Sequence, residues 1–111
     1  MRWAAPFEAV AARVREREPG TPVRLAYLDM MAPTLPEAAA ALVADGCSHI
    51  IVLPMFLGTG GHVREDLPKL VDAARARCPG TEFSVHTAIG EVPAVTAAMA
   101  DAVIAALELG S

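Results

Sequence analysis

The chain has 111 residues, with 9 Lys and Arg against 13 Asp and Glu and a net charge of −4. That length suits one domain, and the acidic balance argues against a general binder of nucleic acid or anionic membranes, which needs a basic patch. Hydrophobic residues make up 54% and charged residues 20%, a globular rather than disordered composition.

Alanine accounts for 23 residues, which favours closely packed helices because alanine is the best helix former. No apolar run reaches membrane-span length. Arg2, Pro6 and Glu8 leave no apolar core for a secretory leader, so the expected compartment is cytoplasmic. Cys47 and Cys78 have neither CxxC nor metal-ligand spacing and read as buried or idle thiols.

Trp3, Phe7, Val10, Ala11 and Val14 share one helical face, which predicts an amphipathic helix over 3–18 ended by Pro19-Gly20-Thr21. Residues 23–28 (VRLAYL) predict a strand. Pro33 and Pro36 suit the start of a second helix, continued by Leu35, Ala38, Ala39, Leu42 and Val43 and capped at Asp45-Gly46. The run 49–54 (HIIVLP) predicts a strand buried on both faces of a parallel sheet. A glycine-rich loop over 55–62 (MFLGTGGH) leads to a third helix expected from about Asp66 to Arg77, with Pro68 in its first turn. A strand over 82–87 and a helix from Pro93 to about Glu108 complete the order α-β-α-β-α-β-α. This order implies a parallel sheet with helices on both faces.

The chain echoes itself at an offset of 60. Arg15, Arg17, Pro19, Gly20 and Thr21 match Arg75, Arg77, Pro79, Gly80 and Thr81, Pro33 matches Pro93 and Ala38 matches Ala98. Convergent helix-to-strand chemistry explains this as well as two copies of a β-α-β-α unit do. In the second case strand 49–54 and its loop have no counterpart before residue 3, and the expectation is a sheet whose first strand is missing.

Ligands of open parallel sheets bind beyond the carboxyl ends of the strands. That directs attention to 29–32, 55–62 and 88–92. The 54–68 segment is the richest. Its glycines let backbone approach a ligand, and Met55, Phe56 and Leu57 add apolar surface. His62 can bind a transition metal or accept a proton, and Arg64 can fork onto a carboxylate. Such a set suits a flat, apolar, acid-bearing ligand that meets a metal. A plain connector or an anion-binding turn is equally open at this point, but no Lys-Ser/Thr pair makes it a P-loop. Asp29 reads as a turn carboxylate or as a contact to ligand nitrogens or metal. His49 sits at the amino end of its strand and reads as structural; His86 and Glu91 are weaker candidates near the productive edge. No nucleophile elbow or activated cysteine is visible, and Arg13, Arg15, Arg17, Glu16 and Glu18 read as a solvated helix end.

The segment PMFLGTGGHVREDLP resembles the hallmark loop of the small CbiX-type sirohydrochlorin cobaltochelatases of the class II chelatase superfamily. AYLDMMAPTLPEA and RWAAPFEAV resemble that family's second-strand segment and first helix. The resemblance implies a single chelatase-like α/β domain over 1–111. Its architecture is three-layered and flavodoxin-like, with a parallel sheet between helices on both faces. It implies a homodimeric lyase of cobalamin biosynthesis that inserts Co²⁺, or Ni²⁺ or Fe²⁺ in close relatives, into sirohydrochlorin without an organic cofactor.

By the same resemblance His62 is the catalytic, metal-contacting histidine. Leu57, Gly58, Thr59, Gly60 and Gly61 line the macrocycle. Sirohydrochlorin is rich in carboxylates, so an acidic chain needs local cationic groups, for which Arg64 is the best candidate and Arg2 a second. Asp29 stands where the family usually has glutamate. Family members also carry a first strand with a His-Gly motif, for which this sequence has no counterpart; the sheet is then expected to repack or to take a strand from a partner chain. Two alternatives accompany this reading. One is a catalytically impaired tetrapyrrole- or metal-binding module, and the other is a phosphate- or flavin-binding interaction domain of receiver-like or flavodoxin-like fold.

Overall fold

A computed structural model describes residues 4–28, 31–58 and 60–110, with the backbone alone at 61, 62 and 110. The elements are α1 (Ala5–Arg17), α2 (Leu35–Ala44), β1 (His49–Val52), α3 (Gly61–Arg77), β2 (Glu82–Val85), a 3-10 turn (Ile89–Glu91) and α4 (Pro93–Gly110). β1 and β2 pair in parallel, with Ile50 opposite Phe83 and Val52 opposite Val85. The α/β class with a parallel sheet is the one the alternation of elements implied.

The core lies on one face of this sheet. Ile50 and Phe83 point into it together, as their register requires, and meet Ala39 of α2 with Ala74 and Cys78 at the end of α3. Both alanines are fully buried, and α2 and α3 pack against each other. A methyl at each contact lets the two helices approach closely. Side chains of Ile50 and Phe83 size contribute roughly 1.5–3 kcal/mol each when fully buried. The opposite face carries Ile51, which is 60% exposed, so the 49–54 run is not buried on both faces as its apolar composition implied.

Two further local expectations need correction. Residues 23–28 form no strand: among the described residues the sheet is two-stranded, β1 with β2. The apolar pattern there is strand-like, but a strand needs a neighbour for its N–H and C=O groups. Instead an apolar cavity of about 400 Å³ separates residues 24–28 from β1.

The second correction concerns α3. It begins at Gly61 rather than near Asp66, so His62 is a helical residue and Pro68 lies inside the helix. Pro68 has no N–H to give the Arg64 carbonyl, a local cost of the kind proline usually brings to helix interiors.

The expected stops are in place. Asp45 caps α2, with Gly46 at φ +100° and its N–H on the Val43 carbonyl at 2.9 Å. The 60-residue echo is visible in the backbone as well. α1 ends at Glu18 with φ −131° and ψ 67°, and α3 ends at Cys78 with φ −122° and ψ 68°. Each of these N–H groups bonds four residues back, to Val14 and Ala74, and each of these carbonyls accepts from the threonine three residues on.

Candidate functional site

The chain leaves β1 and β2 at their carboxyl ends and stays paired beyond them. The His86 N–H donates to the Val52 carbonyl, the Ile89 N–H to Pro54 and the Gly90 N–H to Phe56, each at 2.9 Å. These bonds lay the 54–57 segment along the 86–91 segment and make one rim. Pro54 and Ala88 are buried beneath it. Leu57 projects from it, 72% exposed, with Gly58 and Gly60 also exposed.

The rim joins the apolar cavity described above. Met55 and Phe56 line it from the loop, Val63 and Leu67 from the first turns of α3, and Leu28 and Met31 from the far side. Asp29 and Thr59 lie outside the described residues. Leu28 and Met31 bracket Asp29 in sequence, and both line the cavity.

Gly60 is the N-cap of α3 and offers no side-chain cap bond. The first bond of that helix runs from the Arg64 N–H to the Gly60 carbonyl, 2.9 Å. The preceding N–H groups therefore have no intrahelical partner, and a helix start of this kind favours anions. His62 is carried on the second helical residue and Arg64 is exposed two residues on. The structure thus brings Leu57, Gly58, Gly60 and Arg64 together with the backbone of Gly61 and His62. Among the described residues no three His, Cys, Asp or Glu side chains are grouped to hold a metal ion.

The remaining candidates stand apart. His49 is at the opposite end of the strand, with Nε2 2.8 Å from Ser84 Oγ and 3.8 Å from a Glu82 carboxylate oxygen. Both partners address the same ring nitrogen, so this is not the two-sided arrangement of a catalytic triad. His86 is exposed, its Nδ1 2.9 Å from the Thr87 carbonyl. Cys78 is buried and Cys47 half-buried, both as free thiols. No described helix is long and apolar enough to cross a membrane. Sequence reading passed over Gly90, because nothing local marks a glycine whose neighbour is a distant loop.

The CbiX family model matches residues 1–106. The chain belongs to the CbiX family. A sirohydrochlorin cobaltochelatase from Saccharolobus solfataricus is 36% identical over 70 residues, 60% of this chain and 55% of that protein. One from Methanothermobacter thermautotrophicus is 37% identical over 60 residues, 54% of this chain and 42% of that protein. The chain thus spans about half the length of the curated relatives it matches. A crystal structure from Marinobacter aquaeolei VT8, assigned to cobalamin (vitamin B12) biosynthesis as a CbiX protein, has a TM-score of 0.78 and 27% identity. The likeness covers 96% of this chain and 87% of that one. It supports the chelatase-like architecture directly.

Proposed function

We propose that this CbiX chain, as one domain over 1–111, binds a sirohydrochlorin-type tetrapyrrole and takes part in inserting Co²⁺ into it, as a cytoplasmic homodimer. The observation that carries the reading is the rim. The exposed Leu57 and the exposed glycines beside it lead directly into a helix start that bears His62 and Arg64. The family match favours this ligand class over a phosphate or a flavin.

Insertion exchanges two pyrrole N–H protons for a divalent ion. The protein has to hold the ring, receive protons and release the metal. Leu57 and the backbone at Gly58 and Gly60 offer an apolar, closely approachable surface for the ring face. The helix start and Arg64 suit peripheral carboxylates, which an acidic chain has to meet with local positive character. Interactions at the periphery can offset the strain of bending the ring toward the metal. His62 is the chain's metal and proton group in this scheme; imidazole serves both, and it accommodates Co²⁺, Ni²⁺ and Fe²⁺ alike. Asp29 and Thr59 complete the expected set of ring contacts.

The test follows sirohydrochlorin absorbance with and without Co²⁺, alongside Co²⁺ binding to the protein alone. Wild-type protein is expected to shift the ligand spectrum and then convert it to the cobalt form. His62→Ala should weaken Co²⁺ binding and slow conversion while the ligand shift persists. Unchanged Co²⁺ affinity in His62→Ala removes His62 from the mechanism. A ligand shift with no conversion by wild type identifies a binding module instead.

A further inference from the structure

We propose that Gly90 is a positioning residue for the substrate rim, and that ring affinity depends on its having no side chain; the affinity half of this rests on the tetrapyrrole reading above. Gly90 lies in the 3-10 turn between β2 and α4. Its N–H donates to the Phe56 carbonyl at 2.9 Å. A Cβ built at this position would overlap the carbonyl oxygen and Cα of Leu57. Those are backbone atoms, so they cannot swing aside as the end of a flexible side chain can; only movement of the loop or of the turn would make room.

The requirement is one of space and not of backbone conformation. The only glycines with positive φ among the described residues are Gly46 and Gly80, so alanine at 90 would meet no conformational penalty of its own. A Cβ at Gly20, Gly46, Gly80 or at Gly58 and Gly60 of the rim would meet nothing within 4 Å. Gly90 is therefore a point at which the two loops approach too closely to admit a side chain. Leu57, the residue it seats, is the most exposed apolar side chain described on the rim. A displaced Leu57 would present its surface in the wrong place, and misplacements on the scale of an ångström can cost orders of magnitude in rate.

The experiment compares wild type, Gly90→Ala and Gly20→Ala, the last at a position with open space and no role in the site. Amide hydrogen exchange over 55–58, titration with metal-free sirohydrochlorin, and KM and kcat for Co²⁺ insertion are measured on each. Gly90→Ala is expected to speed exchange in the loop and to raise the ligand Kd and KM by on the order of tenfold or more. Co²⁺ affinity in the absence of ring and far-UV circular dichroism should match Gly20→Ala. Exchange and ligand affinity equal to wild type in Gly90→Ala would overturn the proposal.

Should Gly90→Ala fail to fold, the wild-type chain still decides the seating. Proton NOEs between Gly90 and Leu57 are expected, and their absence refutes the contact. A wild-type chain that shows the NOEs but takes up no sirohydrochlorin retains the seating and loses the tetrapyrrole reading, and with it the affinity half.

Discussion

Thr34 and Glu37 satisfy each other at the start of α2. The Glu37 N–H donates to the Thr34 hydroxyl at 3.3 Å, and the Thr34 N–H donates to the Glu37 carboxylate at 2.8 Å. The second bond, with help from the Thr34 side chain, holds the Glu37 carboxyl below its ordinary value. Because the folded state favours the charged form, the contribution is present above the carboxyl's unfolded pKa and fades as pH falls through its lower, folded one. Glu37→Gln should therefore lower the unfolding midpoint at neutral pH, with the gap to wild type closing in strong acid. Thermal melts across that range check it, and a gap that stays constant with pH would sink the linkage. Thr34→Ala should cost about 1 kcal/mol of stability in denaturant titrations at neutral pH. The candidate rim was legible in the sequence as a candidate: the glycine-rich run, His62 and Arg64 stand in one stretch and are residue types suited to ligand contact. Gly90 was not, since its meaning comes from Leu57, a residue far away in the chain and adjacent only in the fold.

Helix ends were easier to read than helix starts. Pro79-Gly80-Thr81 follows the end of α3, and in that turn Gly80 takes φ +86°, a conformation that L side chains rarely adopt. A Cβ there would meet nothing within 4 Å, so the cost of Gly80→Ala is purely conformational, about 1–2 kcal/mol. Gly20 occupies the matching place after α1 and has no positive φ; Gly20→Ala should be neutral or slightly stabilising through the unfolded chain. Chemical denaturation of the two variants separates the cases, and equal costs would contradict the backbone argument. The start of α3 was misplaced because Pro68 reads as a first-turn residue, where proline is usual. In the fold, Gly60 already caps the helix, and proline is accommodated further in. Residues 23–28 failed as a strand for a different reason. Their apolar pattern is local, whereas strand pairing is a property of two segments, and the cavity lies where a pairing neighbour would stand.

The radius of gyration is 15.9 Å, with extents of 55 × 34 × 28 Å, against roughly 13 Å for a compact domain of this length. α4 is the longest helix among the described residues. Its packing within the chain runs to the 3-10 turn, while Val103 and Ile104 are 60% and 53% exposed. Propensity alone leaves an isolated helix of this length marginal, and alanine-rich helices such as α4 gain most of their stability by covering apolar surface. The 60-residue echo has its counterpart in the similar C-cap geometries of α1 and α3, which convergent helix-to-strand chemistry and a repeated unit explain alike, and no sequence pattern says which surfaces a second copy covers.

In the homodimer proposed above, folding and association are one equilibrium, so apparent stability follows protein concentration. Each tenfold rise adds about 1.4 kcal/mol per mole of dimer. For a unit of that size this raises the melting midpoint by roughly 3–6 °C. Calorimetry on a dilution series, with sedimentation velocity at both ends, measures the slope. A midpoint that stays flat while the protein sediments as a single chain would show that the apolar surface of α4 is tolerated in solution, and would remove the dimer from the proposed function.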